Sequence, residues 1–261
     1  PSHVFVWDLN EQGASSNFVE SNGDWVFVAK GEGGFKILKK PSPADVLSLC
    51  TFDNMGKPNC LQADQAVCAD LFAELNAKLP VNGNVNAQHP SYLTTGASEI
   101  LLLEDAEISL SFLEENTIHK HAVGYYAYPA DCPPTKEEEL VGLVAFPNFS
   151  KNGSGGSMVA GNSIKLLNSF KANTKIGFFV VPKGWDGSKI KVGQNLHYTN
   201  KTFSKNSRKQ GIIIYEDACD AILVAFEQEP SNSAQADFRE TVMQVHLSSP
   251  TAVDTHDFLQ F

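Results

Sequence analysis

The sequence predicts a mainly β protein, an antiparallel two-sheet β-sandwich or jelly roll with one helix around residues 61–79. Three observations lead there. From Ser98 onward the chain is a succession of short apolar runs of strand length, the pieces between them are rich in turn formers, and only one segment keeps a helical period.

His3 to Trp7, Trp25 to Ala29 and Phe35 to Leu38 are strand-like, and the last two, joined by Lys30-Gly31-Glu32-Gly33-Gly34, make a hairpin. The helix is read from Val67, Leu71, Leu75 and Leu79 on one face, with Asp64 near its start and Pro80 as its stop. Eight runs follow: Glu99 to Leu103, Glu107 to Phe112, Val123 to Tyr128, Leu143 to Phe146, Ile176 to Val181, Ile212 to Tyr215, Ala221 to Phe226 and Thr241 to Val245. Ile108, Leu110 and Phe112 alternate with polar residues and face inward on a half-buried strand. Ile176 to Val181 is apolar apart from Gly177, as a central strand covered on both faces would be. The expected organisation has N-terminal strands, hairpin and helix over 1–95, packed on a main sandwich over 96–250, and a tail over 251–261. In that tail Phe258, Leu259 and Phe261 either dock on their own domain or wait for another subunit.

Of 261 residues, 42% are hydrophobic and 19% charged, and 20 Lys+Arg against 30 Asp+Glu give a net charge of −10. The 17 Phe supply apolar area for a core, which argues against disorder. No apolar run approaches the roughly 18–20 residues of a membrane span. The cations are scattered on an acidic chain, so nucleic acid is not an expected partner. The start at Pro1, without Met or an apolar leader, reads as a mature segment. Cys50, Cys60, Cys68, Cys132 and Cys219 contain no Cys-x-x-Cys pair; one or two disulfides with a remaining thiol, or five buried cytosolic thiols, both fit the count. Sequons at Asn148, Asn152 and Asn200 are glycosylation candidates and favour an extracellular or cell-surface setting.

No nucleophile elbow is present, and Gly153-Ser154-Gly155-Gly156-Ser157 lacks the Lys-Ser/Thr of a phosphate-binding loop, so it reads as a turn. His119 and His121 on one strand would face the same side as a transition-metal pair, but no third ligand is visible nearby. Asp217 and Asp220, flanking Cys219, read as a turn between strands. The acidic group singled out is Glu227, Asp237 and Glu240, expected to meet at one sandwich edge, where hard oxygen donors suit Ca²⁺. The plainer reading is a solvated acidic turn partly neutralised by Arg239.

The motifs Ala106 to Phe112, Gly124-Tyr125-Tyr126-Ala127-Tyr128-Pro129, Phe146-Pro147-Asn148-Phe149-Ser150, Gly153 to Ser157, Ile176-Gly177-Phe178-Phe179 with Gly184-Trp185, Phe226-Glu227, and Asp237-Phe238 followed by Pro250 occur in an order that resembles the LruC-type domain of bacterial secreted and surface proteins. The resemblance covers about residues 98–252; His89 to Leu93 extend it upstream. It implies a β-sandwich, an extracellular setting, adhesion or surface structure without enzymatic activity, and a calcium-site-like loop of the pattern D-x-D-F-N-D after an F-E-D strand end. This chain departs from that pattern, with Gln235, Asp237, Arg239 and Glu240 in the loop, Phe226-Glu227-Gln228 at the strand end, His121 before Gly124-Tyr125-Tyr126 and Lys183 before Gly184-Trp185. The expectation drawn is that Lys183 and Arg239 replace the ion by charge-assisted hydrogen bonds to the carboxylates. A weakened surviving Ca²⁺ site is the opposing reading.

The expected function is a secreted or surface-displayed, non-catalytic adhesion or structural module, whose partners are further copies of itself or surface proteins and glycans. Self-assembly would proceed by strand addition, with the tail as candidate strand. The alternative is a carbohydrate-binding module using Trp7, Trp25 and Trp185 as an aromatic platform. A hydrolase ranks third.

Overall fold

The computed structural model describes strands 18–22, 25–29 and 35–39 and residues 47–167, 169–191, 195–228 and 236–261. The chain divides into two units, Pro1–Asp45 and Val46–Phe261. In the first, β1 (Phe18–Asn22), β2 (Trp25–Ala29) and β3 (Phe35–Lys39) form an antiparallel meander, with Ala29 opposite Phe35 across the expected hairpin. The run from His3 to Trp7 and the Gly-rich connection lie outside the described residues.

Among its described residues the second unit holds two six-stranded sheets. One runs β11 (His197–Tyr198), β10 (Thr174–Val181), β7 (Ala122–Pro129), β8 (Gly142–Phe146), β4 (Leu47–Ser48), and β5 (Ile100–Leu101) also pairs with β10. The other runs β15 (Leu259–Gln260), β12 (Gly211–Glu216), β13 (Ala221–Phe226), β14 (Thr241–Leu247), β6 (Ile108–Glu114), β9 (Ser163–Lys165). All eight runs read from the sequence form strands, although Glu99 to Leu103 shortens to β5. The pairing is antiparallel except for β4 with β8 and β12 with β15, which are parallel. Both exceptions are two-residue edge strands. They join the sheet from distant parts of the chain, so no tight hairpin dictates their direction.

Between the sheets, Ile108, Leu110 and Phe112 pack with Tyr125, Ile176, Phe178, Val224, Phe226 and Met243, all buried. Each such side chain contributes about 1.5–3 kcal/mol by leaving water. The outer faces are covered as well. On one, Leu71, Leu75 and Leu79, with Val85 and Tyr92, lie against Ile212, Ile214, Leu223, Ala225 and Val242. On the other, Tyr126, Tyr128 and Phe179 meet Tyr198, Phe203 and Leu140. This double covering is why Ala221–Phe226 is buried at every position: its odd and even side chains serve two different cores.

The helix is shorter than expected. α1 spans Leu71–Lys78, and residues 61–70 are not helical. There the Gln62 and Gln65 N–H groups donate to the Ser163 and Gly161 carbonyls, each at 2.8 Å, and Asn162 Nδ2 donates to Asp64 at 2.7 Å. Cys68 is bonded to Cys219 in the β12–β13 turn. These tertiary ties satisfy the backbone that a helix would otherwise pair internally. They also explain why the unit boundary falls at 45/46 and not at 95/96: the segment before the sandwich is built into it.

A second disulfide joins Cys50 to Cys60, and Cys132 keeps its thiol. Disulfides persist in oxidising compartments, which is compatible with secretion. No helix among the described residues is long and apolar enough to cross a membrane. The tail docks on its own domain: β15 pairs with Ile214 and Tyr215, the Phe261 N–H donates to the Tyr215 carbonyl at 3.0 Å, and Phe258 and Leu259 are buried.

Candidate functional site

At one end of the sandwich β13 finishes and β14 begins, and the connection returns through Asp237 to Glu240. Glu227 follows directly on Phe226; its N–H donates to the Gln210 carbonyl at 2.9 Å, extending the ladder by one residue. Its Oε2 accepts the N–H groups of Asp237 at 2.7 Å and Phe238 at 3.1 Å. Phe238 adopts φ +56°, a left-handed conformation that costs a bulky residue roughly 1–2 kcal/mol. Its ring is wholly buried in the α1 layer, which offsets that cost. The two carboxylate hydrogen bonds and the buried ring therefore over-determine the kink.

The kink sends neighbouring side chains to different partners. Asp237 Oδ1 accepts the Arg239 N–H at 2.9 Å and Oδ2 the Asn82 N–H at 2.7 Å. The Gln228 N–H donates to Glu240 Oε2 at 3.2 Å. One oxygen from each of Glu227, Asp237 and Glu240 lies within 4.8 Å of the others, so the predicted convergence is realised. It is buried and not a solvated turn: Glu227 is fully covered and Asp237 is 8% exposed. Burial, a hydrogen bond to Glu227 and repulsion from Glu227 and Asp237 hold the Glu240 carboxyl well above the usual carboxylate range. Burial also raises Asp237, against its backbone hydrogen bonds.

The Arg239 charge favours ionised Asp237, but the expected direct hydrogen bonds from its guanidinium to the cluster are not what holds the side chain. Arg239, 1% exposed, turns its guanidinium away: Nε pairs with Glu114, Nη1 donates to the carbonyls of Leu75 at 3.1 Å and Leu79 at 2.5 Å, and Nη2 to Asn76 Oδ1 at 3.2 Å. It caps the C-terminus of α1, where unpaired carbonyls and the negative end of the helix dipole favour a cation. Lys183 lies in the turn after β10, at φ +52°, with its N–H on His121 Nδ1 at 3.1 Å. Among the described residues neither cation makes an ion pair with Asp237 or Glu240. Backbone N–H groups of Gln228, Asp237, Phe238, Asn82 and Arg239 donate to the three carboxylates, and Glu240 is held toward its protonated form.

The His-x-His pair does not become a metal centre. His119 and His121 precede β7, not on one strand, with ring centroids 6.3 Å apart. Because His121 Nδ1 accepts the Lys183 N–H, its proton is assigned to Nε2, and neither nitrogen offers a lone pair to an ion. His121 is 1% exposed; burial, then the neighbouring His119, His197 and Lys183, push its pKa down to about 3. Burial takes His197 down to about 4, against a hydrogen bond to the Glu227 backbone. Sequence reasoning missed His197, Asn82, Glu114 and Gln210 because each arrives from a distant strand end or loop, and no local pattern marks them.

Other candidates sort by exposure. Asn148 is 1% exposed and its Nδ2 donates to the Met55 carbonyl at 2.8 Å and the Gly155 carbonyl at 3.1 Å, which closes it to a glycan on the folded chain. Asn152 is exposed, and Asn200 is half-buried with Oδ1 accepting the Thr202 N–H at 3.1 Å. Trp185 is 4% exposed and packs edge-on against Phe52 at 5.4 Å, so it belongs to the interior and not to a sugar platform. Trp7 lies outside the described residues, as does the Trp25 side chain. Asp217 and Asp220 do form the β12–β13 turn, where Asp220 accepts the Tyr215 hydroxyl at 2.8 Å.

Fold and site together define a disulfide-stapled two-sheet β-sandwich with a buried carboxylate cluster at one end. Comparison with family models, curated proteins and solved structures gives no match to this chain.

Proposed function

We propose that the chain is a secreted or surface-displayed, non-catalytic module with an adhesive or structural task. The observation that supports this most is the Cys68–Cys219 disulfide, which ties the segment before α1 to the β12–β13 turn and locks one covering layer onto the sandwich. A layer stapled in this way suits a domain that must hold its shape outside the cell. The described edge strands of the sandwich, β4, β5, β9, β11 and β15, are two or three residues long, which blunts strand addition there, whereas β1 and β3 at the edges of the separate meander have five residues each. On the sandwich unit, partner contact therefore falls to loops and sandwich ends. The docked tail is not the assembly strand.

Calcium belongs to the same proposal. Three hard oxygen donors converge at Glu227, Asp237 and Glu240 and fit a hard cation, which would have to displace the Glu240 proton. The deciding experiment immobilises the full chain and measures attachment of cells and of further copies of the chain, beside a panel of ester and glycoside substrates. Saturable attachment without turnover is expected. Substrate turnover by the purified chain, or no attachment of either kind, overturns the proposal.

A further inference from the structure

Asn-Gly dipeptides are open to a spontaneous backbone reaction, because glycine leaves its own nitrogen sterically free to approach the preceding side chain. The described residues contain two complete pairs, Asn82-Gly83 and Asn152-Gly153; Gly23 of the third pair, Asn22-Gly23, lies outside them. The fold treats the two differently. The Gly83 N–H donates to the Pro80 carbonyl at 2.7 Å, and the Asn82 N–H is held by Asp237 at 2.7 Å. A Cβ built at Gly83 would also meet the Pro80 oxygen at 2.6 Å, so the backbone there is confined. At the second pair no hydrogen bond of ordinary geometry among the described residues holds either the Asn152 side-chain amide or the Gly153 N–H. Asn152 is exposed, Gly153 adopts φ +87°, and nothing lies within 4 Å of a Cβ built on it.

We propose that Asn152 is the site of a self-catalysed deamidation. The Gly153 backbone nitrogen attacks the Asn152 Cγ, a C–N bond forms, and the side-chain nitrogen leaves as ammonia, taking up the proton lost from Gly153. Water then opens the succinimide at either carbonyl and leaves Asp or isoaspartate at 152. No oxidant, reductant or further reactant is needed. The product adds a negative charge beside Lys151 and Glu115, which are joined by Lys151 Nζ to the Glu115 carbonyl at 2.7 Å. Where isoaspartate forms, the main chain lengthens by one carbon and must disturb the Asn152 N–H bond to the Met158 carbonyl at 3.2 Å. Asn152, Lys151 and Met158 line a cavity of 340 Å³ together with Phe72, Phe112 and Val159. The reaction therefore ages the rim of that cavity.

The test incubates the folded full chain, made in a host that does not glycosylate, at mildly alkaline pH and maps peptides by mass over time. A one-dalton gain with isoaspartate at residue 152 is expected, about tenfold faster than at Asn82, the factor set by one backbone hydrogen bond that must break. Asn152→Gln, which enlarges the ring to be closed, should abolish the gain at that position without altering Asn82. No gain at 152, or a gain no faster than at Asn82, overturns the proposal.

Discussion

Arg239 Nη1 donates to the Leu79 carbonyl at 2.5 Å, joining the loop that enters β14 to the last turn of a helix 160 residues earlier in the chain. The same guanidinium pairs with Glu114 at the end of β6. One side chain thus ties a carboxylate-rich loop, a helix terminus and a strand end together. Removing it leaves a charged carboxylate and two helix carbonyls without this partner. Arg239→Ala is expected to lower the unfolding free energy by about 3–5 kcal/mol, as for other broken buried pairs. Urea denaturation at pH 7 measures it; a loss below about 1 kcal/mol, the scale of an exposed ion pair, would count against the description.

Stability should fall on both sides of a mildly acidic optimum. His121 and His197 titrate near 3 and 4 in the folded chain but near 6.5 when unfolded, so between these values the unfolded chain binds more protons. Stability is then lost as pH falls below about 6.5. Glu240 shifts the opposite way: its raised pKa means that the folded chain holds the extra proton, and stability is lost as pH rises above about 4.3, the ordinary Glu value. Glu240→Gln should flatten the alkaline side and steepen the acid side between about 4.3 and 6.5, where the carboxyl and histidine contributions oppose each other. Urea midpoints from pH 4.5 to 9 for both proteins check this, and parallel profiles would refute the role given to Glu240.

Calcium and protons should compete. Titrating Ca²⁺ into the chain at pH 7 is expected to release protons and raise the melting temperature, since an ion that binds only the folded state stabilises it. Glu240→Gln should weaken both effects. Calorimetry in two buffers of different ionisation enthalpy separates proton release from binding heat. A melting temperature unchanged by millimolar Ca²⁺ removes the ion from the proposed function.

The two disulfides should differ in worth. Cys68 and Cys219 are 151 residues apart, for which loop-closure entropy gives about 5 kcal/mol, while Cys50 and Cys60 are 10 apart and the same relation gives about 3 kcal/mol. Replacing each pair by Ser and comparing denaturation midpoints should rank them in that order.

Much of the fold is legible in the chain. Period-two alternation at Ile108, Leu110 and Phe112 and unbroken apolar runs such as Ala221–Phe226 report burial on one face and on both. The five described edge strands of the sandwich are too short to carry a period. The helical stripe also extended too far upstream, because Val67 keeps the spacing of Leu71 while the segment around it is held in a non-helical connection by hydrogen bonds from Gln62 and Gln65 and by the Cys68 disulfide. At the site, the grouping of Glu227, Asp237 and Glu240 follows from two strand ends and one connection. The direction of Arg239 does not, because it depends on which way a left-handed Phe238 turns the chain.

By itself the sequence determined the sandwich class, the identity of its long strands and the carboxylates that meet at one end. These follow from local periodicity and from chain neighbours on adjoining strands. Only the tertiary structure decided the cysteine pairing, the burial of Asn148 and Trp185, the docking of the tail and the partner of each cation. Each of those depends on contacts between segments far apart in the chain, and such contacts leave no local pattern.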